Sequence, residues 1–553
     1  MELRLLIAFI LMGGVLFLTP YFYKNTAPPP EKKQASVPAA EQAEPKPQPP
    51  SRTPPPKPGA EQADPAQPVA AEAEQKHVVD TSVFQVEFSN RGAVAQTWKL
   101  KKYRDGEGRP LDLINRAAEK VDDPFALHFK EQKPPIDLNQ ALYAVKQTPD
   151  GLDIEFTFSD GRISARKRFR FERDSYQLRV ITDVRENGRG IPHYITWRGG
   201  FGDNTVHGAA AAQKAVYFDL AANTLETADA SKAKDGPVTF HGNYSFLGMA
   251  DNYFAAVLLP ERSAPLDLVV FSDAAPSPIN KEEQPHPGVA AGGWPYNTFY
   301  AYIGPKDLDV LGRVNPKLTQ LVDFGWFAIL AKPLFMALHW MYDHGVRNWG
   351  WAIVIITVII NFLLFPLKLS SLKSMKKMSA LQPQIAAINE RYRNIGLRDP
   401  RKAQQNQEVM ELYKKHGVNP MGGCVPMLLQ IPFFIAFYNV LSNAIELRHA
   451  NWLWVSDLSQ PEHLAIRILP LAMIASQFVM QKMTPTTTMD PTQQKMMLFM
   501  PLMLGFLFYG VASGLVLYWL TGNLVSIAQQ WFINKTATAS VPPPTPVKRT
   551  GRN

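Results

Sequence analysis

The chain has 553 residues and a formal net charge of +9, a length that accommodates several domains. Its single cysteine, Cys424, excludes an internal disulfide, and its 11 histidines show no metal-ligand spacing such as HExxH. With no P-loop, dinucleotide fingerprint or nucleophile elbow, neither an enzyme nor a bound metal or cofactor is expected.

Residues 3–23 are apolar apart from Arg4 and Thr19 and end in Thr19-Pro20-Tyr21-Phe22-Tyr23. Bulky aromatics at the exit, in place of a small-x-small cleavage site, read as an uncleaved signal anchor over 1–25; a cleaved signal peptide is the alternative. Many of the 47 prolines fall in residues 26–76, including Pro28-Pro29-Pro30 and Pro54-Pro55-Pro56. This stretch cannot bury a core and reads as a disordered linker, able to span on the order of 100 Å where extended.

From Val78 to about Gly304 the hydrophobic pattern has period two, as in Phe84–Phe88, Ile154–Phe158, Phe169–Phe171, Gln177–Val184, Leu266–Phe271 and Thr298–Ile303. Turn signals such as Asn90-Arg91-Gly92, Asp150-Gly151, Asp160-Gly161 and Asn187-Gly188 separate the runs. Many strands with polar outer faces predict a large antiparallel β-sandwich over 77–320. Residues 324–344 then mix Phe324, Trp326, Phe327, Leu334, Phe335 and Trp340 with Lys332, His339 and Asp343 around Pro333. That pattern predicts an amphipathic helix lying in a membrane interface, over 321–346.

Five apolar segments follow, at about 349–367, 421–442, 466–481, 496–511 and 513–533. The third and fourth are short for a full crossing. The loop 368–420 carries Lys368, Lys373, Lys376, Lys377, Arg391, Arg393, Arg398, Arg401, Lys402, Lys414 and Lys415 against four acids, so the positive-inside rule makes it cytoplasmic. The loop 443–465 has Arg448 against Glu446, Asp457 and Glu462 and lies outside; the tail 535–553, with Lys535, Lys548, Arg549 and Arg552, lies inside. The β-domain is then outside, the periplasm in a bacterium, and both termini are cytoplasmic. Within the basic loop, Met375, Met378, Leu381, Ile385 and Ile388, then Val409, Leu412 and Tyr413, repeat at helical spacing and predict a cytoplasmic helical hairpin.

The second apolar segment holds Pro426, Pro432 and one amide, Gln430. Prolines free backbone carbonyls that need partners at membrane depth. Gln430 reads either as one wall of a polar space or as a packing amide between helices.

Several motifs together resemble one family. Asn419-Pro420-Met421-Gly422-Gly423-Cys424-Val425-Pro426 with Gln430 and Pro432, Lys482-Met483-Thr484-Pro485 with Asp490-Pro491, Ser513-Gly514-Leu515-Val516-Leu517-Tyr518-Trp519 with Asn523, and Tyr302-Ile303-Gly304-Pro305-Lys306 are similar to stretches of the bacterial YidC insertases of the Oxa1/Alb3 superfamily. The match covers essentially the whole chain, in the form with a large outer domain. It implies a multi-domain membrane protein with a signal-anchor helix, a large periplasmic antiparallel β-sandwich, and a five-helix transmembrane core over 347–534 with its hairpin at 368–420. It further implies an inner-membrane insertase and chaperone, working alone or with the Sec translocon and its accessory subunits. The partners it implies are nascent inner-membrane proteins and membrane lipids, with ribosomes as a further candidate.

The resemblance also implies a hydrophilic groove open to cytoplasm and lipid. Thr357 and Asn361 share one helix face, Gln430 supplies a facing amide, and Tyr518, Trp519, Asn523, Ser526 and Gln530 lie on the last helix. One position departs: where family members place an arginine, five residues before the proline of Phe365-Pro366-Leu367, this chain has Asn361. With no other lysine or arginine deep in the five segments, a wet but uncharged groove is expected. The outer domain, on its long linker, is expected to be dispensable for insertion. A small-solute transporter predicts midplane ionisable residues and repeat symmetry, and neither is present. A tethered carbohydrate enzyme would need paired carboxylates or a histidine–carboxylate pair in one cleft.

Overall fold

A computed structural model describes residues 68–206, 209–277, 281–392, 399, 401–418, 425–483, 499, 501–506 and 508–536. The expected signal anchor, most of the linker, the Asn419–Cys424 motif, most of the fourth apolar segment and the C-terminal tail lie outside these residues.

The β-domain contains three antiparallel sheets. The ten-stranded sheet has at its heart Phe254–Pro260, Tyr296–Pro305, Gln177–Glu186 and Ile163–Phe171, hydrogen-bonded in that order. The five-stranded sheet is built on Leu266–Pro276 and Glu283–Trp294, and the four-stranded one on Phe84–Ser89 and Val94–Arg104. All six period-two runs are strands. Alternation sets which face is buried, as in Asp153–Ser159, where Ile154, Phe156 and Phe158 point inward. Asn187 and Gly188 both have positive φ, as a two-residue hairpin turn requires. The chain joins the domain early, since Val69 pairs with Ser159 and the Ala71 N–H donates to the Leu142 carbonyl.

Beyond the sheets come helix α1 (Leu308–Val314), capped by Asp307, and α2 (Ala328–Met341). Helix α2 buries Ala331, Leu334, Phe335 and Leu338 and leaves Ile329, Met336 and Trp340 exposed, as is Trp326 just ahead of it. That two-faced distribution is the expected one for a helix at an interface. A bend of 117° separates the Ala328–Val346 run from α3 (Trp349–Leu363). Helix α4 (Phe365–Ala380) follows directly, and Pro366, which lacks an N–H, stands at the break. The remaining core helices are α7 (Val425–Asn443), α8 (Ile468–Met483) and α9 (Ser513–Thr536), counted after the hairpin helices α5 (Gln382–Arg391) and α6 (Arg401–Lys415).

Among the described residues no single helix is long and apolar enough to cross a membrane, although the bent pair 328–346 and 349–363 qualifies together. The reason is specific to each helix: α3 stops at Leu363, α8 has 16 residues, and α9 is 24 residues long but interrupts its apolar surface with Asn523, Gln529 and Gln530.

The hairpin forms its own unit. Ile385 and Ile388 on α5 and Tyr413 on α6 are buried, and Arg391 and the Tyr392 hydroxyl both bond Glu408. The β-domain and the other helices belong to one unit, joined by a single hydrophobic cluster from Val79 to Tyr518.

The loop 443–465 is the joint. Arg448 makes a buried ion pair with Asp203 of the β-domain, with side chains 4% and 3% exposed. His449 Nε2 lies 3.1 Å from the Arg104 carbonyl. The same loop seals the outer helix ends: Glu462 accepts from the Leu469 N–H at the start of α8, and the Gly514 N–H at the start of α9 donates to the Leu458 carbonyl. Trp452 sits against Gly350 so closely that a Cβ there would lie 2.2 Å from the indole. The β-domain is therefore docked on the core, where the linker alone suggested a loose tether.

Candidate functional site

A polar cluster lies where α3, α4, α7 and α9 meet. Thr357 is fully buried, and its hydroxyl donates to the Ile353 carbonyl one turn back (2.6 Å), the usual resort of a threonine inside a helix. Asn361, one turn on, donates from Nδ2 to the Thr357 carbonyl (2.8 Å). Its Oδ1 is thereby turned outward and accepts from Lys368 Nζ at 2.6 Å.

Lys368 is the residue the sequence reading missed. Charge counting placed it in the cytoplasmic loop, because long basic side chains normally run toward water. It stands seven residues after Asn361, two helical turns and so on the same face, which is the signal that could have found it. Its ammonium also donates to Ser526 Oγ on α9 (3.1 Å). No carboxylate partners it among the described residues. The expectation that no cation stands beside Asn361 is thus corrected: the arginine position is an asparagine, and that asparagine holds a lysine reaching back from α4.

Gln430 and Tyr518 face the same space, together with Ile360, Leu364, Leu367 and Phe433. Tyr518 is fixed by stacking on Phe437, with ring centroids 4.3 Å apart. The enclosed volume is about 10 Å³, room for one water on a scale of ~10–15 Å³ each. The cavity is accordingly narrow here. Gln529, not among the residues expected to line a groove, donates to the Asn361 carbonyl (3.2 Å) and keeps a buried Oε1 with no partner among the described residues. A buried acceptor of this kind is a place for water.

Of the residues expected to line a groove, Asn361, Gln430 and Tyr518 share this small cavity, and Ser526 bonds Lys368. Thr357 lies beneath the cluster. Asn523 turns to α8, donating to Ser476 Oγ (3.0 Å). Trp519 packs its ring against Phe434 and Phe508, with centroids 4.9 and 5.0 Å away, and Gln530 bonds Asn534. These three follow the helix periodicity to neighbouring faces, which residue type alone does not distinguish.

A sandwich domain docked on a bundle of short apolar helices, with one cation at their polar centre, defines a membrane-associated protein with a large outer domain. The family described as "YidC periplasmic domain" matches residues 76–337, and the one described as "60Kd inner membrane protein" matches residues 340–540. The chain is 35% identical over 570 residues to the membrane protein insertase YidC of Geotalea daltonii, covering 98% of this chain and all of that one. It is 33% identical over 571 residues to that of Syntrophus aciditrophicus, covering 97% and 100%. A crystal structure of an active YidC insertase with its first transmembrane domain resolved is similar at 18% identity and a TM-score of 0.36, over 84% of this chain and 94% of that one. The chain belongs to the YidC family of membrane protein insertases.

Proposed function

We propose that this insertase moves the polar tails of new inner-membrane proteins across the bilayer through the cleft between α3, α7 and α9. Lys368 is the cleft's positive charge. A carboxylate on a client tail is drawn to an ammonium that, among the described residues, has only neutral partners, Asn361 and Ser526, and no counter-ion to displace. Gln430, Gln529 and the water they hold replace part of the tail's hydration. The cleft shortens the path through a hydrocarbon layer ~30 Å thick, in which each unpaired polar group costs several kcal/mol. Burial of the client's apolar segment, at about 25 cal/mol per Å², supplies the driving force without ATP.

In this reading the helices α3, α7, α8 and α9 and the segment 496–511 form the five-helix core, behind an N-terminal anchor. The hairpin and both termini are cytoplasmic, and the outer loop closes the cleft toward the periplasm. The protein acts alone or beside the Sec translocon, with ribosomes delivering clients. The position of Lys368 Nζ, 2.6 Å from Asn361 Oδ1, carries the proposal.

Photo-crosslinking of an arrested single-span client tests it. A probe replacing Gln430 should capture the client's polar tail, whereas a probe at Ile359, exposed on α3, should capture only its apolar segment. A tail captured from position 359 and not from 430 would place the path elsewhere.

A further inference from the structure

The docked β-domain closes a second cavity, of about 490 Å³, over the outer ends of the core helices. One wall is Asp203, Asp251 and Asn252 of the β-domain; the other is Arg448 and Gln460 from the loop and Arg467 just ahead of α8. No step of the proposed insertion path uses it.

The two carboxylates are committed to internal donors. Asp203 accepts from Arg448 and from the backbone and hydroxyl of Thr205. Asp251 accepts from the N–H groups of Tyr253 and Phe254, and desolvation raises its pKa, which weakens its repulsion of an anion.

The arginines are not equally spent. Arg448 reaches Asp203 through Nη2; its Nη1 is buried with no hydrogen-bond partner among the described residues, and its Cζ lies over the Phe254 ring at 5.4 Å. Arg467 bonds only the Tyr509 carbonyl among the described residues and stacks on that ring at 4.8 Å. It has no carboxylate partner there. A buried guanidinium edge with nothing to donate to, as at Arg448 Nη1, is costly, and together with the more exposed guanidinium of Arg467 on the same wall it selects an anion.

The surroundings say which kind. Ile466 and Ile468 flank Arg467 and are exposed, and Tyr438, on the cavity wall, is half exposed. Apolar side chains beside an arginine–tyrosine pair at helix ends are the arrangement found at the headgroup level of a bilayer.

We propose that this cavity binds the phosphate of an outer-leaflet anionic phospholipid, held by Arg448 Nη1 and Arg467, with the acyl chains lying along the exposed face at Ile468. The inference rests on the membrane placement of α7 and α8 and is independent of Lys368.

Binding of short-chain phosphatidylglycerol to the purified full-length protein tests it, with diacylglycerol of the same chains and sn-glycerol 3-phosphate as parallel probes. The expected result is saturable binding of phosphatidylglycerol alone, weakened about tenfold by Arg467→Gln, as loss of a charge-assisted bond implies. Arg448→Lys, which keeps a charge for Asp203 but loses the second arm, should weaken it similarly at unchanged Tm. Equal binding to wild type and both variants overturns the site. Equal binding of diacylglycerol removes the phosphate, and equal binding of glycerol phosphate removes the lipid. Arg467-dependent binding of an acidic peptide without phosphatidylglycerol binding assigns the cavity to a protein segment and overturns the proposal.

Discussion

Arg448 and Asp203, 245 residues apart in the chain, form an ion pair with both side chains almost wholly buried. One belongs to the loop between two apolar helices, the other to the β-domain. Neither was legible in the sequence, where Arg448 counted only as a lone basic residue in an acidic loop. Removing one partner of a buried pair leaves an uncompensated charge and typically costs about 3–5 kcal/mol.

Asp203→Ala should therefore loosen the outer loop as well as the β-domain. Limited proteolysis of the purified protein should cut within 443–465 much faster than in wild type. A deletion of 80–300 should do the same, so the dispensability suggested by the long linker is replaced by an expected loss of stability. Unchanged cleavage in both variants would show that the docked interface contributes little.

Gly350 offers a sharper test of the outer seal. A methyl group there meets the Trp452 indole at 2.2 Å, and overpacking of this kind costs about 1–3 kcal/mol. Gly350→Ala should lower the Tm of the full-length protein, and the double variant Gly350→Ala, Trp452→Leu should recover part of the loss. No recovery would mean the clash is relieved elsewhere.

His193 predicts how the β-domain responds to acid. The ring is fully buried; Nδ1 lies 3.0 Å from the Ile191 carbonyl, while Nε2 faces the Thr182 hydroxyl and Asn297 Nδ2. Nε2 thus serves as an acceptor, and burial lowers the pKa from 6.5 to about 4. The unfolded chain takes up a proton near 6.5 and the folded one does not until about 4. Stability is full above 6.5 and declines as pH falls from 6.5 toward 4, by about 3 kcal/mol from this ring. His193→Gln should flatten that part of the Tm-versus-pH curve relative to wild type; parallel curves would assign the acid sensitivity to other groups.

Asn361→Arg restores the arginine that the family resemblance places at this position. With Lys368 Nζ 2.6 Å from Asn361 Oδ1, the substitution places two cations together, and like charges repel most where water is scarce. Insertion by Asn361→Arg should fall below wild type and be restored when Lys368→Gln is added. Full activity of the single variant would show that Lys368 moves freely out to water.

Most strands found in the sequence have one wetter face, such as Asp153–Ser159; Leu266–Phe271, buried at all but Asp267, was legible from its β-branched and aromatic residues. Tyr244–Ala250 and Phe254–Pro260 are buried on nearly every residue, so they show no alternation, and Glu283–Trp294 hides behind Pro285, Pro287 and three glycines. At the site, amide residues with helical spacing pointed to α3, α7 and α9, and Asn361, Gln430 and Tyr518 share a cavity. Lys368 and Gln529 were not legible, because their roles depend on how α3 passes into α4 and on which face of α9 meets it. Trp519 and Asn523 illustrate the converse: similar residue types a few positions away serve packing between helices.

The claim that Lys368 supplies the charge of the insertion cleft is tested most directly by the rate at which paired clients are inserted. Two single-span clients, identical except for an acidic or a neutral tail, would be followed by pulse labelling and protease protection in cells depleted of their own insertase. Lys368→Gln should slow the acidic client about tenfold, the equivalent of one charge-assisted contact, and leave the neutral client near the wild-type rate. Equal rates for the acidic client with and without Lys368, or equal slowing of both clients, would contradict the account.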